Sequence, residues 1–226
     1  MTVQAYCAST PFLDHTSDEV RHFVDQALTS DLTSPRSQAV ALYYAVRDRI
    51  QYEIYRADLS STGLRASSVV KSGVGMCLHK STLFAATLRS VGIPSRLVLV
   101  DVRNHLASER LKRLIGGDVF HFHCMTSLQL DGRWIKATPV FNSRLCRLYG
   151  ISPLEFDGST DSVHHPFDLH GQRYMEVLRT HGEFEDLPYE LITAGLSKTA
   201  SRLFDKSGLG ADGSLVDEAP ESLAKE

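Results

Sequence analysis

Cys77 is the residue of this chain best placed for nucleophilic chemistry. It follows Gly73-Val74-Gly75-Met76, and positions 77, 81, 84, 88 and 91 fall on one face of a helix that Cys77 opens. The free amides and dipole at a helix start favour negative charge, so a thiol there is expected to ionise more readily. The same amides suit the oxyanion formed when a thiolate attacks a carbonyl. Two glycines just upstream permit close backbone approach or a turn closed to other residues. A thiol that merely packs at a helix end is the alternative, and the partner decides between them.

A base for such a thiol is offered by Phe120-His121-Phe122-His123-Cys124. Strand alternation puts His121, His123, Met125 and Ser127 on one face, and Phe120, Phe122, Cys124 and Leu128 on the other. Two imidazoles on a core strand cost stability unless they are bonded or used, and imidazole accepts protons readily near neutral pH. Asp131-Gly132 signals a two-residue hairpin turn that pairs Leu130 with Arg133. This register sets position 123 opposite 140, with Thr138 and Asn142 as candidates to orient His123. A metal site combining His121, His123 and His164-His165 is a weaker alternative, because the spacing follows no zinc pattern.

The elements that must hold these groups follow from caps and periodicity. Ser17-Asp18-Glu19 caps a helix running to about residue 29. Ser34-Pro35 opens an amphipathic helix over 34–52, with Arg47, Asp48 and Arg49 toward water. Gly92 and Pro94 end the Cys77 helix. Residues 97–102 read as a buried strand, 119–130 and 133–141 as a hairpin, and 171–180 as a short helix. The fold class is α+β, with helices packed on an antiparallel sheet and the nucleophile at a helix N-terminus. Residues 1–196 read as one domain and 197–226, rich in small and charged residues, as a weakly ordered tail.

Composition excludes little and favours little. A formal net charge of −3 over 226 residues gives no broad attraction to nucleic acid or to an anionic membrane. No apolar run is long enough to span a bilayer, and the first residues lack a secretory pattern. Cys7, Cys77, Cys124 and Cys146 show no paired spacing, so neither a disulfide framework nor a metal or other cofactor is expected. The chain is read as cytoplasmic.

The run through Cys77, followed by Leu88-Arg89-Ser90-Val91-Gly92-Ile93-Pro94-Ser95-Arg96, resembles the nucleophile segment of the transglutaminase-like superfamily. His123, followed by Leu130-Asp131-Gly132-Arg133-Trp134, resembles that group's second motif, a His-bearing strand that turns to a tryptophan. The likeness covers about residues 35–142 and is that of a small, bacterial-type member. It implies a papain-like, cysteine-proteinase-like triad of Cys, His and Asp, with a thioester formed on Cys77 and His123 rather than His121 as base. The family's aspartate, four places after the tryptophan, is Thr138 here. Threonine accepts a hydrogen bond from imidazole but does not offset the imidazolium charge. Asn142 is one substitute, and a carboxylate from Glu155, Asp157 or Asp161 is another.

The function expected is acyl transfer to an amine or hydrolysis of an amide or peptide bond, on a small amide or short peptide. The ionisable cluster over 155–168 would recognise a cationic group, which makes Asp157 and Asp161, with His121, candidate substrate contacts. A catalytically degenerate binding module is the alternative, and Thr138 is the feature in its favour.

Overall fold

The computed structural model describes residues 3–105, 107–163, 175–204 and 213–218. Helix α1, Asp18–Ala27, begins where Ser17 accepts the Val20 amide. Helix α2, Pro35–Arg49, begins with a reciprocal Ser34–Ser37 capping box and Pro35 in the first turn. Helix α3, Ala66–Ser72, closes on Gly73, whose φ of +64° suits glycine at a helix end.

Helix α4, Cys77–Ser90, is buried on every side from Cys77 to Arg89. The one-faced stripe expected for it therefore understates its burial. It is a central helix, with α1, α2 and α3 on one flank and the sheet on the other. Strands β1, Gln51–Tyr52, and β2, Val74–Gly75, pair in parallel and hold the end of α2 beside the approach to Cys77.

The main sheet contains β3, Ser95–Asn104, β4, Val119–Leu130, β5, Arg133–Ala137, and β6, Met175–Phe184. Their order is β5-β4-β3-β6, and every pairing is antiparallel. Asp131 and Gly132, with φ of 50° and 75°, make the tight turn, and Leu130 faces Arg133 as the hairpin signal implies. One sheet face carries Leu97, Leu99, Cys124 and Leu128 into the main core. The other carries Val98, Val100, Val102 and Met125 against Cys146 and Ile151. Helices α5, Glu109–Ile115, α6, Ser143–Leu148, and α7, Tyr189–Thr199, complete the fold.

Three expectations are corrected. The ladder between β4 and β5 stops at Thr126↔Ala137, so residues 138–141 leave the sheet and the register opposite His123 does not continue. The segment expected as a helix over 171–180 is strand β6 from Met175 onward, with 171–174 outside the described residues. Adjacent exposed apolar residues, Val177 and Leu178, hide its period of two. Arg47 is buried rather than solvated, bonded to Asp48, Ser143, Glu155 and the Leu154 carbonyl.

The domain end expected at residue 196 falls inside a helix, and residues 205–212 and 219–226 of the expected tail lie outside the described residues. Helix α7 runs past residue 196 to Thr199, and a 3-10 turn follows at Ser201–Phe204. Leu215 is buried; its amide donates to Glu53 Oε2 (3.0 Å), and Tyr149 Oη donates to its carbonyl (2.7 Å). The described part of 197–226 is thus docked on the domain.

Candidate active site

Two buried bonds set α4 on β4. Ser81 Oγ donates to the Cys124 carbonyl (2.8 Å), and Thr126 Oγ1 donates to the Ser81 carbonyl (3.0 Å). They place Cys77, one turn before Ser81, beside the strand that carries His123. Gly75 is required for packing rather than for a ligand: a Cβ there would lie 2.4 Å from His79 Cβ.

Cys77 is 4% exposed. Burial pushes its thiol up to about 11, while the backbone amides of Cys124, Leu78 and Cys77 itself act in the opposite direction. The expectation that the helix start lowers this pKa is therefore corrected, because desolvation outweighs the amides. A thiol so buried favours its neutral form, so any attack by it would need a base to take its proton.

Cys77, His121 and His123 line one small, partly open space of about 20 Å³, together with Leu196 and Ala200 of α7 and Leu203. That is room for one or two waters. A second space of about 50 Å³ shares His123, Phe120 and Ile54 with it and is walled mainly by apolar groups such as Val102, Ile151, Met175 and Leu215.

The two histidines do not follow simple alternation. Val100 pairs with His123 and Val102 with Phe120, so two residues of β4, His121 and Phe122, stand opposite Asp101 alone. Phe122 has φ +55°, which marks a bulge. Phe120 thus comes to the side of His123, contrary to the face assignment expected from the sequence. Asp101 Oδ1 accepts the Phe122 amide (3.1 Å) and lies 2.7 Å from His181 Nε2 and 3.3 Å from His121 Nδ1. Burial opposes ionisation of Asp101, but the bonds from His181 and the Phe122 amide hold its carboxyl below the usual range. Sequence reasoning missed Asp101; its signal was one carboxylate inside the apolar run 97–102.

The other expected site residues lie elsewhere. Thr138 is buried, its amide donating to the Ser162 carbonyl, and its hydroxyl has no partner among the described residues. Asn142 Oδ1 accepts the Tyr52 amide (2.6 Å), and Nδ2 donates to the Arg47 and Ile50 carbonyls. Lys80 Nζ donates to the same two carbonyls at 2.8 and 2.6 Å, so both side chains close the end of α2. Asp157 accepts the Ser159 amide and hydroxyl in its own loop, and Asp161 accepts the Lys136 amide. Glu155 is held by Tyr44 and Arg47. Neither Thr138, Asn142, Asp157 nor Asp161 lines the space beside Cys77. His164, His165 and Asp168 lie outside the described residues.

A search of curated protein sequences returns no match. Among solved structures, a candidate cysteine protease from Cytophaga hutchinsonii aligns with TM-score 0.46 and 13% identity, over 80% of this chain and 53% of its own. Red sea bream transglutaminase aligns with TM-score 0.44 and 15% identity, over 84% of this chain and 42% of its own. The chain thus spans about half the length of these two proteins. The family model for the transglutaminase-like superfamily matches residues 22–139, just over half of the chain, and takes in both Cys77 and His123. With a thiol at the start of a central helix and a histidine on the neighbouring strand, the chain belongs to the transglutaminase-like superfamily.

Proposed function

We propose that this chain is a cysteine enzyme that hydrolyses or transfers acyl groups through a thioester on Cys77. The observation that carries the reading is that Cys77 and His123 line the same small space. His123 takes the thiol proton as sulfur bonds to the carbonyl carbon of an amide or peptide. The backbone amides at the start of α4 stabilise the oxyanion. The amine leaves with the proton from His123, and the thioester passes its acyl group to water or to a second amine.

Hydrolysis is favoured because the space beside the sulfur is of water size. A small amide or short peptide with an apolar substituent suits the second, apolar space next to His123. Recognition of a cationic group by Asp157 and Asp161 gains no support from their positions. Four free thiols favour a reducing, cytoplasmic setting. No helix among the described residues is long and apolar enough to cross a membrane.

The test is acetylation by p-nitrophenyl acetate, read by peptide mass. Wild type should carry one acetyl group on Cys77, Cys77→Ala none, and His123→Gln should acquire it far more slowly. A binding module is the second reading, favoured by the unpartnered Thr138 hydroxyl and the raised thiol pKa. Failure of wild type to acetylate across about pH 6 to 9, which brackets an ordinary thiol, would select it.

A further inference from the structure

Asp101 stands in the middle of β3, 6% exposed, between Val100 and Val102. A carboxylate in such a place needs compensation; the Phe122 amide donates to one of its oxygens, and His181 Nε2 and His121 Nδ1 lie 2.7 and 3.3 Å from the same oxygen. The convergence depends on the β4 bulge. A bulky residue at φ +55° costs about 1–3 kcal/mol and persists only where its surroundings enforce it. Here His181 stacks on the Phe122 ring, with centroids 4.4 Å apart. On the α7 side, Gly195 leaves room for that ring, since a Cβ would lie 2.1 Å from it. Bulges beside reaction centres re-aim side chains, and this one sets His121 both against Asp101 and on the wall of the Cys77 space.

We infer that Asp101 and His121 form a second proton-transfer pair at Cys77, serving hydrolysis of the thioester while His123 serves its formation. The inference rests on the acyl chemistry proposed above. In this pair Nδ1 of His121 faces the carboxylate at 3.3 Å and carries its proton, and Nε2 is the basic nitrogen. Asp101 offsets the imidazolium charge, a task that the hydroxyl of Thr138 cannot perform. In the step itself, His121 Nε2 takes a proton from water as the water oxygen bonds to the thioester carbon. The intermediate collapses with cleavage of the C–S bond and release of the free acid. The Cys77 thiolate then takes the proton from His121. One water is consumed, and both residues return to their starting states.

Pre-steady-state turnover of p-nitrophenyl acetate tests this. His121→Gln and Asp101→Asn should each release about one equivalent of nitrophenolate at near the wild-type rate. Steady turnover should then fall on the order of 10²-fold, with the acetyl group retained on Cys77 by intact mass. A merely structural role would slow both phases together. If Asp101→Asn does not fold, His121→Gln decides, since that side chain is partly exposed at 31%. Variants that turn over like wild type, or that lose burst and turnover alike, overturn the inference. Wild type that is never acetylated overturns the acyl chemistry with it.

Discussion

Cys77 and Lys80 lie one turn apart on α4 and face two different interiors. Lys80 is fully buried, and burial drives its pKa well below the usual range. Its Nζ and the Asn142 amide share the Arg47 and Ile50 carbonyls, while the Tyr52 amide fills the Asn142 oxygen. Around Cys77 the burial is as deep, yet space remains, two imidazoles border it, and one backbone position is strained. Depth of burial therefore does not separate architecture from chemistry in this molecule. Bonding does: polar groups that close each other's valences hold the fold, and those set beside unfilled space can react.

The largest test of that division is His123→Gln. It should slow acetylation of Cys77 by roughly 10³-fold, about 4 kcal/mol in the barrier, with little change in the urea midpoint. Asn142→Ala should do the reverse. It strips two carbonyls and one amide of a buried partner and should lower stability by about 3 kcal/mol in urea titrations, leaving activity per folded molecule intact. A loss of rate at unchanged stability would move Asn142 to the reactive side and break the comparison.

His79 sharpens it. Burial pushes its imidazole down to about 4, and Nε2 meets the Asp58 carbonyl at 3.0 Å. The folded chain keeps this ring neutral where the unfolded chain binds a proton. Stability is thus complete above about pH 6.5 and declines as pH falls toward 4, by about 3 kcal/mol in all. His79→Gln should flatten that slope in denaturant midpoints taken against pH; parallel slopes would show that the ring is charged when folded. The smallest effect is expected at the outer loop. Asp157→Ala with Asp161→Ala should shift stability by no more than about 0.5 kcal/mol and leave KM for any substrate found unchanged.

Local chemistry made much of the fold legible in the sequence. Ser17, Ser34-Pro35 and Asp131-Gly132 each act within a few residues, and each marks its boundary. What escaped depends on distant partners. The bulge exists because β3 offers Asp101 to two residues at once, and alternation along β4 alone is silent about that. Arg47 looks solvent-facing by spacing, but Glu155, more than a hundred residues away, draws it inward. Asn142 reads from the sequence as a residue to orient His123, yet the α2 carbonyls that claim it lie some ninety residues upstream. Cys77 and His123 were readable because motif and spacing carry them. Their shared space was not, since α7 and Leu203 line it from the far end of the chain.

That lining has a kinetic meaning. Cys77 is 4% exposed and shares its small space with Leu196, Ala200 and Leu203, so on the acyl chemistry proposed above a donor larger than water would reach the sulfur only where those side chains move aside. The apparent Kd of any such donor is its intrinsic value divided by the open fraction, so each 1.4 kcal/mol favouring the closed form weakens binding about tenfold. Trimming Leu203, which packs at the edge of the core, would raise that fraction. Affinity for acyl donors would then be set in part by residues that never touch one.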